Sequence, residues 1–328
     1  MRSELLIDMR ALRRIEPAWW ALWKRVPDAT PFASPAWLIP WWEVFAPGRL
    51  HAVALWSGDA LIGFAPLYVE DGPWGLRLLP LGIGVSDMLD LLLDPDAELA
   101  EAAALFGEAL RGCDAAVWSA EEAPPGAAIL ALPDPPGWLS TTDDHSPCPA
   151  VTLDAAGGLL GAVPAGQRRK WRMARHRADR RGWSVTASDA AGLDDTLHHL
   201  FRLHAERWNA RGQPGVLDDA AVRCFHLTTA PGLLAAGLLR LDVLRIGGEV
   251  AGVYYGLRNG RIAMAYLGGF DPTFAFESPG TLLIGAALED AEATGAQLFS
   301  FLRGREGYKY GWGAVDRLNR RRLFRRAP

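Results

Sequence analysis

The chain has only three cysteines, Cys113, Cys148 and Cys224, an odd number with no spacing that suits zinc. Neither a disulfide framework nor a Cys-based metal centre is expected from such a set. A reducing, cytoplasmic setting fits that usage. No apolar run reaches the roughly 18 residues that span a bilayer, and Met1 to Arg14 alternates charged and apolar residues without a signal-peptide core. Neither export nor membrane insertion is therefore expected. Excess positive charge is also lacking: the net charge is −4 over 328 residues, which gives no support to a general attraction to nucleic acid. No Gly-x-Ser-x-Gly elbow is present, so a Ser-His-Asp or Cys-His hydrolase cannot be built on the chain. Metal chemistry is unsupported as well.

What is present is a composition that folds: 50% hydrophobic and 22% charged residues, in a chain long enough for two ordinary domains. The stretch from Pro124 to Pro149 carries Pro124, Pro125, Pro133, Pro135, Pro136, Pro147 and Pro149. It reads as a loop or linker, because proline sustains neither a helix interior nor a central strand. The expected domains are 1–155 and 156–328. Their patterns echo each other. Helices around Pro17 to Val26 and Ser34 to Phe45 precede strands His51 to Trp56 and Ala60 to Val69, turned by Ser57-Gly58-Asp59. Helices Leu193 to Arg211 and Asp218 to Thr229 precede strands Leu239 to Ile246 and Val250 to Leu257, turned by Gly247-Gly248-Glu249. In both hairpins a glycine, Gly63 or Gly252, lies inside the second strand, where it marks a bulge or a close backbone approach. The echo predicts a duplicated α+β architecture with mixed sheets flanked by helices.

The last fifth of the chain is the most informative. Ile262 to Gly269 reads as a strand, Phe270-Asp271-Pro272 breaks it, and Ser278-Pro279-Gly280-Thr281 opens a helix that stops at Gly295. A second apolar run, Gln297 to Leu302, leads into Arg303-Gly304-Arg305-Glu306-Gly307-Tyr308-Lys309-Tyr310-Gly311-Trp312. A strand feeding a helix N-terminus can hold an anion, through the unpaired first-turn N–H groups and the helix dipole. Ser278, Gly280 and Thr281 are the expected contacts. An exposed helix start is worth only about 0.3–1 kcal/mol to an anion, so Lys309, with Arg303 or Arg305, is expected to supply the rest, Lys309 converging on the same ligand. The bland alternatives are a Ser-capped helix start with Pro at its first position and a solvated charged loop. Tyr308, Tyr310 and Trp312 argue against the second, since exposed aromatic rings are costly.

Among titratable residues, Asp87 and Asp90 stand three apart in an apolar stretch, where a carboxylate of raised pKa could take a proton from an amine. The alternative is that Asp87 caps a turn. Glu306, with Lys309 three residues on, competes for the role. His204 and Arg207 lie on a helix beside its apolar stripe, where a histidine is more often a satisfied, partly buried group than a catalyst. Arg168, Arg169, Lys170, Arg172, Arg175, Arg177, Arg180 and Arg181 surround one helix on every face. That helix is either solvated or in contact with phosphate, and its narrow strip of Trp171, Ala174 and Ala178 is unsuited to membrane insertion. Trp19, Trp20, Trp23, Trp37, Trp41 and Trp42 fall on helices and are assigned to packing.

Several short motifs share their order with a known group. Phe32-Ala33-Ser34-Pro35-Ala36-Trp37 with Trp41-Trp42 and Phe45, Ser86-Asp87 with Asp90, Leu203-His204 with Arg207-Trp208 and Arg211-Gly212, Gly269-Phe270-Asp271-Pro272, Ser278-Pro279-Gly280, and Gly304-Arg305-Glu306-Gly307-Tyr308-Lys309 with Trp312 span nearly the whole chain. Together they resemble the CelD-like acetyltransferase group, a branch of the GNAT superfamily related to the FemAB aminoacyltransferases. The resemblance implies two tandem GNAT-like halves, the second being the acyl-donor domain, and transfer of an acyl group from acetyl-coenzyme A to an amine. On that reading Asp87, Glu306 and Lys309 are catalytic candidates. Backbone N–H groups near Leu267, Gly268 and Gly269 would face the oxyanion, and Asp90, His204, Arg207 and Tyr308 would contact substrate. No metal is implied. The Gln/Arg-x-x-Gly-x-Gly/Ala turn with which GNAT enzymes hold the coenzyme A pyrophosphate is missing, and Ser278-Pro279-Gly280-Thr281 stands in its place. Two other readings follow from these features. One is aminoacyl transfer from tRNA, favoured by the arginine helix and the missing turn, and the other is a non-catalytic binding protein on the same fold. The acceptor cannot be read from the residues; a polysaccharide or cell-envelope precursor is one candidate.

Overall fold

The computed structural model describes every residue except 74, 154–157, 210, 211, 213 and 328. The expected domain joint at 155 and the motif residue Arg211 lie outside the described residues. The chain forms two compact units: unit 1 is Met1–Pro147 with Arg317–Pro328, and unit 2 is Cys148–Asp316.

Unit 1 runs β1 (Arg2–Leu6), α1 (Met9–Arg25), a 3-10 turn (Pro31–Ala33), α2 (Pro35–Phe45), β2 (Arg49–Leu50), β3 (Ala52–Ser57), β4 (Ala60–Ala65), β5 (Leu67–Gly72), β6 (Gly75–Pro80), β7 (Leu92–Leu93), α3 (Leu99–Ala109), β8 (Val117–Ala123), α4 (Ala128–Ala131) and the first part of β9 (Trp138–Thr152), whose residues from Cys148 on belong to unit 2. Asp8 starts α1 by accepting the Ala11 N–H at 2.8 Å. The helix then buries Leu12, Ile15, Trp19 and Leu22, a stripe at helical spacing. Pro66 separates β4 from β5, and the two strands fall in different sheets. The α3 crossover lets β8 lie parallel to β6.

Unit 2 continues with α5 (Gly158–Ala162), α6 (Ala165–Asp179), β10 (Trp183–Ala187), α7 (Leu193–Asn209), a 3-10 turn (Val216–Asp218), α8 (Ala220–Ala235), β11 (Leu239–Ile246), β12 (Glu249–Arg258), β13 (Ile262–Phe270), a 3-10 turn (Pro272–Phe274), α9 (Pro279–Ala293), β14 (Leu298–Ser300) and α10 (Gly307–Gly311). Its core gathers Leu244, Tyr254, Leu282, Leu288, Phe299 and Trp312. The narrow face of α6, Trp171, Ala174 and Ala178, is buried. Trp171 lies against α9 where Gly285 has no Cβ to obstruct it.

The two units repeat one construction. Strand, helix, 3-10 turn, helix and hairpin follow in the same order from β1 to β4 and from β10 to β12. The hairpins share a bulge at the same place: Leu55 pairs Gly63 and Trp56 pairs Leu61 in one, and Leu244 pairs Gly252 and Arg245 pairs Val250 in the other. Glycine is needed at both sites. A Cβ on Gly63 would come within 2.9 Å of Leu55 Cδ1, and one on Gly252 within 2.9 Å of Leu283 Cδ1. The architecture is α+β with mixed sheets flanked by helices.

One expectation needs correction. The proline-rich stretch is not a linker, since Trp138–Thr152 forms the fifteen-residue strand β9. Proline loses only its donor: the Pro149 carbonyl still accepts the Phe301 N–H at 2.8 Å. The C-terminal strand is β15 (Val315–Arg326), and from Arg317 onward it groups with unit 1. It pairs antiparallel with β8, and its Phe324 stacks on Trp118 at 4.5 Å in the core. Arg322 and Arg326 are spent on unit 1 carbonyls, among them Ile129 O at 2.6 Å and Cys113 O at 2.6 Å. Among the described residues, no helix is long and apolar enough to cross a membrane.

Candidate functional site

In unit 2 the parallel pair β13 and β14 is short. Ile262, Ala263 and Met264 pair with Leu298, Phe299 and Ser300, and no further register between the two strands continues among the described residues. Beyond Met264, β13 keeps its antiparallel partner β12, and the register slips so that Gly256 pairs Ala265 while Tyr255 pairs Leu267, bulging the strand at Tyr266. From Ala265 to Phe270 the strand is thus opened on its β14 side, and Leu267 and Gly268 there are half-buried. The departing chain turns at Leu302, whose φ of 57° is left-handed. Such a conformation costs a non-glycine residue on the order of 1–3 kcal/mol.

Helix α9 begins beside that opening. Ser278 precedes it with φ 59° and ψ 62° and makes no side-chain cap, so the simple Ser-capped start is not what forms. Instead the Ser278 carbonyl accepts both the Thr281 N–H at 2.9 Å and the Leu282 N–H at 3.2 Å. Pro279 has no N–H. This leaves the Gly280 N–H as the first-turn donor, next to Phe270: a Cβ on Gly280 would lie 3.3 Å from Phe270 Cε1. Glu277 is buried just ahead of the helix and faces Arg181 at 3.4 Å, which balances a negative charge where an anion would otherwise be repelled.

Phe270 also carries Arg207, whose guanidinium lies 4.8 Å over its ring. Arg207 is held there because α7 crosses β13 at Gly269, where an added Cβ would sit 2.8 Å from both His204 N and Leu203 Cβ. Tyr308 belongs to the same neighbourhood. Half of Tyr308 is exposed and Tyr310 is exposed as well, contrary to the expectation for their rings, but the Tyr308 hydroxyl is held above the ordinary phenol range by burial of that end and by Glu306, with Arg207 pulling it back. Arg207, Gly269, Gly280, Glu306 and Tyr308 are therefore neighbours through Phe270 and through one another's fields.

Lys309 has a different employment from the one its sequence suggests. It is 3% exposed, and its ammonium donates to Arg303 O at 2.6 Å, Gly304 O at 3.2 Å and Leu302 O at 3.3 Å, with Glu306 Oε2 at 2.9 Å. An ammonium has three donors, and these acceptors take them all. Lys309 closes the turn that leaves β14 and fixes Glu306 at its rim. Only two other lysines, Lys24 and Lys170, occur in the chain. Arginine, with its planar fork, cannot gather three carbonyls around one nitrogen.

His204 is buried, and its pKa is lowered to about 4 by burial and then by Arg207. His226 behind it is lowered to about 3, chiefly by burial. Both rings are neutral at pH 7. With Tyr255 and Tyr266 they build an aromatic layer under the bulge, the His226 ring lying 5.4 and 5.7 Å from the two tyrosines. Sequence reasoning missed His226, Tyr266 and Phe270 as members of this neighbourhood. The signal available was the bulge, which a sequence does not display.

Asp87 and Asp90 lie in unit 1. The Asp90 carboxylate accepts N–H groups from Leu91, Ala128 and Ile129 at 2.8, 2.6 and 2.9 Å, so it caps α4. Burial raises it to about 7 against the opposing pull of those donors. Asp87 accepts the Asn319 side-chain N–H at its carbonyl, 2.7 Å away. On α6, Arg175 pairs with Glu289 at 2.5 Å and Arg177 reaches Phe276 O at 2.9 Å. Arg169, Lys170, Arg172 and Arg180 are exposed.

Residues 165–310 match the family model of the acetyltransferase (GNAT) domain. Unit 2 thus carries an acetyltransferase domain. With it the chain is an enzyme of the GNAT acyltransferase type. The crystal structure of FemX is similar over 98% of this chain and 97% of its own, at 12% identity and a TM-score of 0.68. The C-terminal domain (DUF2156) of a putative lysylphosphatidylglycerol synthetase from Agrobacterium fabrum is similar over 95% and 92%, at 13% identity and 0.58. A conserved protein of unknown function from Bacteroides thetaiotaomicron VPI-5482 is similar over 98% and 100%, at 12% identity and 0.58. At such identities the likeness concerns the fold alone. No curated protein matches the chain.

Proposed function

We propose that the protein is an N-acyltransferase that moves an acyl group, acetyl in the simplest case, from a coenzyme A thioester to an amine. The observation that carries this reading is the opened β13 edge beside an uncapped helix start. The thioester would lie along Leu267, Gly268 and Gly269, and the donor's phosphates would meet the Gly280 N–H, Ser278, Thr281 and the Arg207 charge. A neutral amine would attack the thioester carbonyl, forming a C–N bond and a tetrahedral oxyanion. Backbone N–H groups of the opened edge would donate to that oxyanion. Collapse breaks the C–S bond, the thiolate leaves, and the amine's proton goes to a base. Glu306, 59% exposed and held by Lys309, is the carboxylate of unit 2 suited to that task, and Asp87 is its counterpart in unit 1. Lys309 acts by positioning Glu306, and Tyr308 and His204 line the substrate side. The motif order favours a CelD-like enzyme acting in the cytoplasm on a polysaccharide or cell-envelope precursor.

A second reading, aminoacyl transfer from tRNA, is favoured by one observation, the exposed cations of α6 together with the absent pyrophosphate turn. Calorimetry with acetyl-coenzyme A, a longer acyl-coenzyme A and charged tRNA separates the two. Saturable binding of a coenzyme A thioester with no binding of tRNA supports the first reading. The reverse result replaces it.

A further inference from the structure

The acyl-transfer reading leaves the outer face of α6 unused. Trp171, Ala174 and Ala178 bury one side of that helix. Arg169, Arg172, Met173, His176 and Arg180 recur at i, i+3, i+4, i+7 and i+11 on the other side, all exposed. Lys170 is exposed at the flank. The carboxylates next to α6 are already engaged: Glu277 faces Arg181 at 3.4 Å and Glu289 faces Arg175 at 2.5 Å. Asp179, the acid of α6 itself, accepts the Trp183 indole N–H at 2.8 Å. Arg169, Lys170, Arg172 and Arg180 have no ion pair among the described residues.

This charge does not serve the helix. Like charges at i, i+3 and i, i+4 destabilise it, and its first turn holds no acid to complement the dipole. In a chain of net charge −4, a face of unpaired cations is a local excess that a polyanion or an anionic surface would complement. The apolar residues beside it decide between the two. Leu160 is 65% exposed, Phe276 62% and Met173 45%. Met173 lies within the cationic face. Leu160 sits by the start of α6, its carbonyl accepting from Arg168. Phe276 sits by the other end, its ring 4.8 Å from the Arg177 guanidinium and its carbonyl accepting from the same side chain. Leucine and methionine offer nothing to a phosphodiester backbone and no flat ring to a base. Between lipid headgroups they gain by leaving water while the cations meet phosphate. The apolar strip of α6 is committed to the core, so the contact is adsorption through the charged face rather than insertion.

We propose that the outer face of α6, with Leu160 and Phe276 at its two ends, docks unit 2 on an anionic lipid surface. The inference goes beyond acyl transfer and does not depend on it. Transfer RNA would claim the same cations, and the test separates the two. The whole protein is sedimented with vesicles of phosphatidylglycerol and phosphatidylcholine in equal parts and with vesicles of phosphatidylcholine alone, and its retention of uncharged tRNA on filters is measured beside them. Saturable binding to the anionic vesicles only, weakening as salt is raised, is expected. Replacing Arg169, Arg172 and Arg180 together by Gln is expected to weaken it about a hundredfold, at roughly fivefold for each cation near such a surface. Leu160→Ser with Met173→Ser is expected to weaken vesicle binding about tenfold and to leave any retention of tRNA as it was. All five positions are exposed, so the variants should fold, which circular dichroism checks; the lipid comparison and the salt series need no variant. Equal binding to both kinds of vesicle, no binding to the anionic ones, a glutamine variant that binds as wild type does, or a serine variant with unchanged vesicle binding would overturn the proposal. Retention of tRNA through the same arginines without vesicle binding would assign the face to nucleic acid instead.

Discussion

Gly280→Ala separates the folding role of the α9 start from its binding role. Gly280 is the second residue of α9, and its backbone is not left-handed, so alanine is allowed there. Helix propensity favours alanine over glycine by about 1 kcal/mol in a helix interior, and by less in a first turn. The added methyl would lie 3.3 Å from Phe270 Cε1, a contact that a ring relieves by moving a few tenths of an ångström. Such relief costs less than the roughly 1–3 kcal/mol of true core overpacking. Stability should therefore change by less than about 1 kcal/mol in either direction. Binding should suffer more. The methyl crowds the ring that carries Arg207 beside the Gly280 N–H, and a hydrogen bond to a charged group is worth about 1.5–3 kcal/mol. Acetyl-coenzyme A affinity is expected to fall about tenfold or more. Urea unfolding gives the first quantity and calorimetry the second. Unchanged affinity in a folded Gly280→Ala protein would refute the anion site at α9, as would an affinity loss that merely follows a loss of stability above about 2 kcal/mol.

Lys309→Met should strip three carbonyls and Glu306 of their shared donor and destabilise unit 2 by about 2 kcal/mol or more, read by urea unfolding; unaltered stability would show that the turn closes without the lysine. Stability should also depend on pH through His204 and His226, whose folded pKa values of about 4 and about 3 lie below the unfolded 6.5. Their contribution is complete above about pH 7 and is lost as pH falls through 6.5 toward 4, on the order of 3 kcal/mol for His204. Asp90, raised to about 7, acts in the opposite direction over the same range, so the test is the difference between wild type and His204→Gln, and a difference that is flat from pH 8 to 4 refutes it. Replacing Arg169 and Arg172 together by Gln should leave the melting temperature nearly unchanged, because both are exposed and surface substitutions usually change stability by within about 0.5 kcal/mol. If turnover is also untouched at every salt concentration, α6 does not contact phosphate.

Much of the fold was legible because hydrophobic periodicity and turn residues are local signals. Gly58-Asp59 and Gly247-Gly248 mark their hairpins in the sequence, and the pairing reproduces them down to a shared bulge. Non-local pairing was not legible. The prolines of β9 argue against a strand until Pro149 is seen to need only its carbonyl, and the arginines of β15 look solvated until Arg322 is found among the carbonyls of Ile129 and Leu132. The candidate site divides along the same line. Gly280 was expected from its place at a helix start, and Arg207 and Tyr308 from the resemblance, whereas Lys309 carries a charge whose partners are carbonyls of its own turn, and carbonyls are the same in every residue.

Backbone strain explains why the rest was hidden. Four non-glycine residues adopt left-handed φ: Ala46, Glu122, Ser278 and Leu302. Ala46 ends α2, an ordinary place for such a residue. Of the others, Ser278 enters α9 and Leu302 leaves β14, one on each side of the opened β13 edge, while Glu122 lies near the end of β8. Nothing in the residue types announces these conformations, since serine, leucine and glutamate all prefer negative φ. Only Ser278 gives a partial signal, because the following Pro279 excludes it from the right-handed helical region. Each strained residue is held by neighbours that over-determine it, such as the two N–H groups converging on the Ser278 carbonyl and the Ser300 hydroxyl accepting the Leu302 N–H at 3.1 Å. A fold that only had to be stable would relax these positions to glycine. Retention of Ser278 and Leu302 on either side of the opened β13 edge is what the binding role proposed for that edge predicts.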